Sequence, residues 1–454
     1  MSERNFDVIV LGAGPAGEVC AGRLAGGGLS VVLVEPELVG GECSFYACMP
    51  SKALLRPAEL LAEAGRVPGA AEAITGDLDV QAVLARRDEV IHDLDDSGQL
   101  PWLESRGIEL VREHGRLEGE RRVRAGDDVL VASRAVVVAT GTGALIPPIE
   151  GLREADPWTN REITTAKEVP ARLAILGGGV VGVEMAQAWR SLGAQVTLVE
   201  AMDRLIGREE EFAGRQVEDA LREVGVDVRL GSKATAVERG ASGEVTIDLE
   251  EGSAVVADEL VVAIGRRPHT DDLGVDTLGL EPGKSIEVDD AMRATGVTGS
   301  WLYAIGDVNG RALLTHMGKY QARVASEVIL GREARATADG PTSPRVIFTD
   351  PQVAAVGHTL ASARDAGLNV REVDSETSGN AGGSFYGRNA AGTTRLVVDE
   401  DRRVLVGATF TGAEVADFLH AATIAVVGEV PLDRLWHAVP SFPTRSEVWL
   451  GLLD

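Results

Sequence analysis

The stretch Asp7-Val8-Ile9-Val10-Leu11-Gly12-Ala13-Gly14-Pro15-Ala16-Gly17 decides the fold, because the chain carries its pattern twice. A short apolar run leads into Gly12-x-Gly14-x-x-Gly17, a helix-like stretch follows, and Val31–Val34 ends in Glu35. Arg172–Leu176 leads likewise into Gly177-x-Gly179-x-x-Gly182, and Val196–Val199 ends in Glu200. Each matched position lies 165 residues beyond its counterpart. A single G-x-G-x-x-G is a weak signal. Two in register, each with strand, helix, strand and acidic terminus, are a strong one.

The residue types follow from the chemistry of binding a dinucleotide. The first glycine permits the tight turn, the second lets backbone approach a pyrophosphate, and the third packs helix against strand. The helix N-terminus offers unpaired N–H groups and a positive dipole end to the phosphates. The glutamate ending the second strand binds the hydroxyls of an adenosine ribose. A glycine-rich turn that binds nothing is the bland alternative, and duplication argues against it. Two sites imply two different dinucleotides.

Later segments point the same way. Val136–Ala139 runs into Thr140-Gly141, and Leu260–Ile264 runs into Gly265, each as the later strand of a nucleotide-binding domain. Trp301–Ile305 ends at Gly306-Asp307, an acid placed to hold a ribitol hydroxyl. A helix is expected from Thr315 to about Leu330, its positive end aimed at the pyrimidine edge of a flavin.

A chain of 454 residues exceeds one hydrophobic core and predicts two to four domains. The formal net charge of −26 argues against nucleic acid or an anionic membrane as partner. No run approaches the roughly 20 apolar residues of a membrane span. Three cysteines make no secreted disulfide framework, so the chain reads as cytoplasmic.

The most specific stretch is Gly40-Gly41-Glu42-Cys43-Ser44-Phe45-Tyr46-Ala47-Cys48-Met49-Pro50-Ser51-Lys52. Residues five apart in a regular helix have Cα atoms about 8.6 Å apart, whereas a disulfide needs roughly 4.4–6.8 Å. If the two cysteines pair, Cys43 lies in distorted or pre-helical backbone. Pro50 suits a first helical turn, which puts Cys48 near a helix N-terminus, where thiolate is favoured. A zinc pair needs further ligands, and only Cys20 remains, so no metal is expected. Two unrelated buried thiols remain the other alternative.

At these motifs the chain resembles the pyridine nucleotide-disulfide oxidoreductases, the group of dihydrolipoyl dehydrogenase, glutathione reductase and mercuric reductase. The resemblance covers essentially the whole length. It implies an α/β fold: two Rossmann-like dinucleotide-binding domains, for FAD and NAD(P), and a C-terminal α+β dimerisation domain. The implied spans are 1–150 and 272–340 for FAD, 151–271 for NAD(P) and 341–454 for the homodimer interface. Gly12, Gly14, Gly17, Glu35, Thr140, Gly141, Gly306, Asp307 and Thr315 would serve FAD; Gly177, Gly179, Gly182, Glu200 and Gly265 would serve the nicotinamide cofactor. Cys43 and Cys48 would form the redox disulfide, Cys48 beside the flavin and Cys43 meeting substrate. Lys52 and Glu184 would pair beside the flavin; their bland alternatives are a solvated helix lysine and an exposed first-turn glutamate. Glu200 would repel a 2′-phosphate and favour NADH over NADPH, with Arg204 and Arg208 close behind it.

The chain also departs from the pattern. The family's His-Pro-Thr-x-Ser-Glu is here Phe442-Pro443-Thr444-Arg445-Ser446-Glu447, and phenylalanine moves no proton. General acid–base help is typically worth about 10²–10⁴ in rate, so ordinary dithiol exchange is expected to be impaired. His437 would substitute only if the backbone folded back. Glu447 keeps its place as a candidate without its histidine. The leading expectation is an NAD(P)H-dependent reductase of a small disulfide-type acceptor. The alternatives are a quinone reductase, diaphorase or transhydrogenase with spectator thiols, and a flavin-bound sensor without turnover.

Overall fold

The computed structural model describes residues 2–388, 390 and 392–453. It separates into two compact units, Met1–Pro50 with Asp88–Leu145 and Arg266–Gly340, and Ser51–Arg87 with Ile146–Gly265 and Pro341–Asp454.

The first unit is built on a parallel sheet in the order Glu109–Val111, Val31–Val34, Glu3–Leu11, Asp128–Val138, Leu302–Ala304. Val8–Leu11 is buried along its whole length, as a strand covered on both faces must be. The long strand Asp128–Val138 serves two partners along one edge: its start pairs antiparallel with Arg122–Ala125, its end pairs parallel with Leu302–Ala304. Four helices matter here. Helix α1 (Pro15–Gly26) starts with Pro15 at its first turn, where no N–H is needed. The short α2 (Gly41–Phe45) and α3 (Cys48–Arg66) follow. Helix α4 (Thr315–Ile329) packs along α1. Cys20, Ala21 and Leu24 of α1 join Ala322, Ala325 and Ile329 of α4 in one core cluster. Cys20 is fully buried, which pushes its thiol up to about 12.

The second unit holds a four-stranded parallel sheet in the order Asp227–Arg229, Gln195–Val199, Arg172–Leu176, Glu259–Val262. A three-stranded antiparallel sheet spans Ala234–Ala257. Its last part is a five-stranded antiparallel sheet covered by the helix Val415–Val427, with Phe410, Leu419 and Trp449 in the core. The fold is thus α/β with two dinucleotide-binding sheets and a C-terminal α+β layer. No helix of the described residues is long and apolar enough to cross a membrane.

Candidate functional site

Both glycine turns have the same construction. Gly12 stands at φ +100, and a Cβ there would lie 2.4 Å from the Ala139 carbonyl oxygen; Gly177 stands at φ +110, and its Cβ would lie 2.5 Å from that of Ala263. A Cβ on Gly17 would lie 1.9 Å from the Gly12 oxygen, and one on Gly182 would lie 1.8 Å from the Gly177 oxygen. Only glycine lets each helix start sit this close to its strand. Gly14 and Gly179, by contrast, face nothing within 4 Å. Each is the N-cap of its helix and leaves an open cradle before the free N–H groups.

The terminal glutamates match to the atom. Glu35 Oε2 accepts from Ala13 N at 2.8 Å and Oε1 from Glu37 N at 2.9 Å. Glu200 Oε2 accepts from Gly178 N at 2.5 Å and Oε1 from Met202 N at 2.8 Å. Each carboxylate therefore rigidifies its glycine turn as well as ending its strand. Burial pushes the Glu35 carboxyl up, against these backbone bonds. Arg204 spends a guanidinium N–H on the Gly207 carbonyl at 2.6 Å.

Asp307 is held by side chains from two other segments of the first unit. Thr142 donates to its carboxylate at 2.9 Å, and Arg266 reaches both Thr142 Oγ1 at 2.6 Å and Glu42 at 3.7 Å. Burial raises the Asp307 carboxyl. Thr140 donates to the His269 carbonyl at 3.1 Å, and Gly141 takes φ +68 beside it. Gly306 N donates to Gln321 at 2.8 Å, and a Cβ on Gly306 would already touch Ala16 of α1 at 3.3 Å. Thr142, Arg266 and Glu42 were not among the sequence candidates. A threonine and an arginine in short loop strands carry no motif. In the second unit, Gly265 follows the strand Glu259–Val262.

The cysteines stand where α2 gives way to α3. Tyr46 ends α2 at φ −132, and Cys48 is the first residue of α3. Cys43 and Cys48 are free thiols in hydrogen-bond contact. That contact, and then burial, holds the Cys43 thiol well above its ordinary range. Cys48 Sγ lies 3.4 Å from Thr315 Oγ1, in the first turn of α4. The structure therefore brings Cys43, Cys48 and Thr315 together.

In the second unit Lys52 Nζ meets Glu184 Oε2 at 2.7 Å. Glu184 is 2 % exposed, and its other oxygen accepts from Phe348 N at 2.9 Å. Lys52 also lies over the Phe348 ring, 4.7 Å from its centre. Glu184 is buried rather than an exposed first-turn group, and Lys52, its side chain 35 % exposed, is held by it. Phe442, in contrast, is 76 % exposed. His437 is an exposed residue set edge-on to Trp436. Glu447 Oε2 is buried with no hydrogen-bond partner among the described residues. No group of three or more metal-ligating side chains occurs among those residues.

The pyridine nucleotide-disulphide oxidoreductase sequence profile matches residues 6–326, and the dimerisation domain of the same family matches 343–452. The chain belongs to this family. As a pyridine nucleotide-disulphide oxidoreductase it is an FAD-dependent NAD(P)H oxidoreductase, and its dimerisation domain supports a homodimer. It is 31% identical to a dihydrolipoyl dehydrogenase of Haloferax volcanii, over 97% of this chain and 94% of the relative. A Thermus scotoductus dihydrolipoyl dehydrogenase is 32% identical, over 99% and 96%. The fold matches the HOCl-induced flavoprotein disulfide reductase RclA of Escherichia coli in its Cu(II) complex, with TM-score 0.86, 24% identity and 99% of each chain covered. Both cradles of this oxidoreductase fit their cofactors: open space before Gly14 and Gly179, free helix N–H groups, and a carboxylate at each strand end.

Proposed function

We propose that this oxidoreductase takes reducing equivalents from NADH and delivers them through Cys48 and Cys43 to a small disulfide-type acceptor. Residues 1–150 and 272–340 hold FAD in this reading, 151–271 the nicotinamide cofactor, and 341–454 the second copy. The observation that carries it is the meeting of Cys43, Cys48 and Thr315 at the start of α4. When bound, FAD supplies a two-electron relay between the nicotinamide and a thiol pair. The chain supplies the rest. Gly12, Gly14 and Gly17 bring the α1 N–H groups to the phosphates. Asp307, with Thr142, holds a ribitol hydroxyl. Thr315 and the α4 dipole favour a thiolate at Cys48. Glu200 disfavours a 2′-phosphate and so selects NADH, with Gly177, Gly179, Gly182 and Gly265 lining that site. Lys52 is held in place by Glu184.

Replacing Cys43 by Ser is expected to abolish NADH-dependent reduction of small disulfides. Turnover at the wild-type rate would reject the reading. Exposed Phe442, which moves no proton, favours one second reading: a quinone reductase or diaphorase whose thiols are spectators. Quinone reduction surviving loss of both cysteines, with no disulfide reduction by the wild type, is its signature.

A further inference from the structure

The turn that carries Cys43 is held in two ways, and the second uses a charge that the cofactor site also uses. The first is backbone. Gly40 N donates to the Ala13 carbonyl at 2.8 Å, and a Cβ on Gly41 would lie 2.8 Å from Gly14 Cα. Glycine at both positions, with φ +117 and +56, seats the turn directly on the start of α1. The second is the side chain of Glu42, in the first turn of α2 and one residue before Cys43.

Glu42 meets Arg266 at 3.7 Å. Arg266 belongs to a two-stranded antiparallel ribbon, Thr142–Ala144 with Arg266–Pro268. Two bonds to Thr142 fix its guanidinium: Nε donates to Oγ1 at 2.6 Å, and Nη2 donates to the backbone carbonyl at 2.5 Å. The same Thr142 hydroxyl donates to Asp307 at 2.9 Å, so one hydroxyl orients both the cation and the acid. Arg266 then stands 3.8 Å from the Asp307 carboxylate. One pinned cation thus serves two carboxylates at nearly equal range. The side chains of Glu42, Arg266 and Asp307 are only 22 %, 23 % and 26 % exposed, so water screens them incompletely. Burial pushes the Asp307 carboxyl up, Thr142 and Arg266 draw it down, and Glu42 pushes it up again. Arg267, the next residue of the ribbon, pairs with Asp271 instead.

We propose that Glu42 is a positioning residue that couples the cysteine turn to the FAD site: through Arg266 it steadies the turn before Cys43, while it opposes the charge of Asp307. This rests on the reading above that Asp307 serves FAD. The two effects have opposite signs in a single variant. Glu42→Gln releases the turn from Arg266 and leaves the whole cation to Asp307. A merely structural residue would, when replaced, loosen the turn and weaken the cofactor together.

The test titrates apoprotein with FAD from acid to neutral pH, in the wild type, Glu42→Gln, Arg266→Gln and the double variant. Arg266→Gln is expected to lose about tenfold or more in FAD affinity at neutral pH. Its affinity should also fall away at a higher pH than in the wild type, because Asp307 then faces Glu42 uncompensated. Adding Glu42→Gln should restore most of that loss. Glu42→Gln alone should hold FAD to a lower pH than the wild type does. In that same variant, with the thiols reduced chemically, iodoacetamide should label Cys43 at least about threefold faster, read by peptide mass. Unchanged labelling of Cys43 or an unmoved pH profile in Glu42→Gln, or strictly additive losses of FAD affinity in the double variant, overturns the proposal. Should Arg266→Gln not fold, Glu42→Gln decides alone by its profile and its labelling. Chemical reduction makes these results independent of whether NADH electrons reach the thiols. Asp307→Asn tests the underlying reading separately: unchanged FAD affinity there removes Asp307 from the cofactor site, and the proposal falls with it.

Discussion

Substituting alanine at three glycines separates packing from ligand approach. At Gly17 the added methyl would lie 1.9 Å from the Gly12 carbonyl oxygen, where ordinary contact begins at 3.4 Å. The helix start must therefore lift by about 1.5 Å, since a backbone oxygen cannot rotate away. Forcing an extra methyl into packed structure costs about 1–3 kcal/mol, and a rigid backbone neighbour puts this case at the upper end. The lifted N–H groups also lose their aim, so Gly17→Ala should be purified largely without flavin. Gly14→Ala behaves differently. Its φ of −68 suits any residue and nothing lies within 4 Å, so the apoprotein should keep its stability within about 0.5 kcal/mol. Its methyl nevertheless fills the cradle, and FAD affinity should fall by about 10–100-fold, or roughly 1.4–2.8 kcal/mol. Gly182→Ala, with its 1.8 Å clash in the second unit, should keep FAD and lose NADH binding. The assay is flavin absorbance per protein, FAD titration of apoprotein and NADH titration of holoprotein. Wild-type FAD affinity in Gly14→Ala would refute the placement of the phosphates at this turn.

The Lys52–Glu184 pair should show itself in a double-mutant cycle read by thermal unfolding. Lys52→Met strands a buried carboxylate and should destabilise more than Lys52→Met with Glu184→Gln, with a coupling of about 1–3 kcal/mol; strictly additive losses would contradict the pair. Glu18 makes stability pH-dependent. With its carboxyl raised from 4.5 to about 7, its contribution is full below 4.5 and is lost as pH rises through about 7. Apoprotein carrying Glu18→Gln should therefore match the wild type near pH 4.5 and exceed it above pH 7, by up to about 3 kcal/mol; a gain confined to acid would reverse the sign and refute the burial. Glu200→Ala should raise the NADPH-to-NADH ratio of kcat/KM at least about tenfold, measured by steady-state kinetics, and an unchanged ratio would remove Glu200 from cofactor choice.

Much of this architecture was legible because glycine turns leave a local signature. The duplicated motif located both parallel sheets, and the strand-end glutamates proved to brace their own turns through backbone N–H groups. Strand limits read from apolar runs moved by a residue or two: Trp301–Ile305 is a strand only over Leu302–Ala304, since pairing with Asp128–Val138 sets its length. The ion pair of Lys52 and Glu184 was legible through resemblance, although a helix lysine and a first-turn glutamate look like surface residues in isolation. What stayed hidden depends on convergence of distant segments. Thr142 and Arg266 matter because they close on Asp307. No periodicity encodes such a meeting.

The passage of electrons through the cysteines is tested most directly by adding one equivalent of NADH to the oxidised protein without oxygen and then alkylating. The expected result is two newly labelled residues, Cys43 and Cys48, while the flavin keeps its oxidised absorbance and gains a long-wavelength shoulder. Bleaching of the flavin with no new label on either cysteine would contradict it.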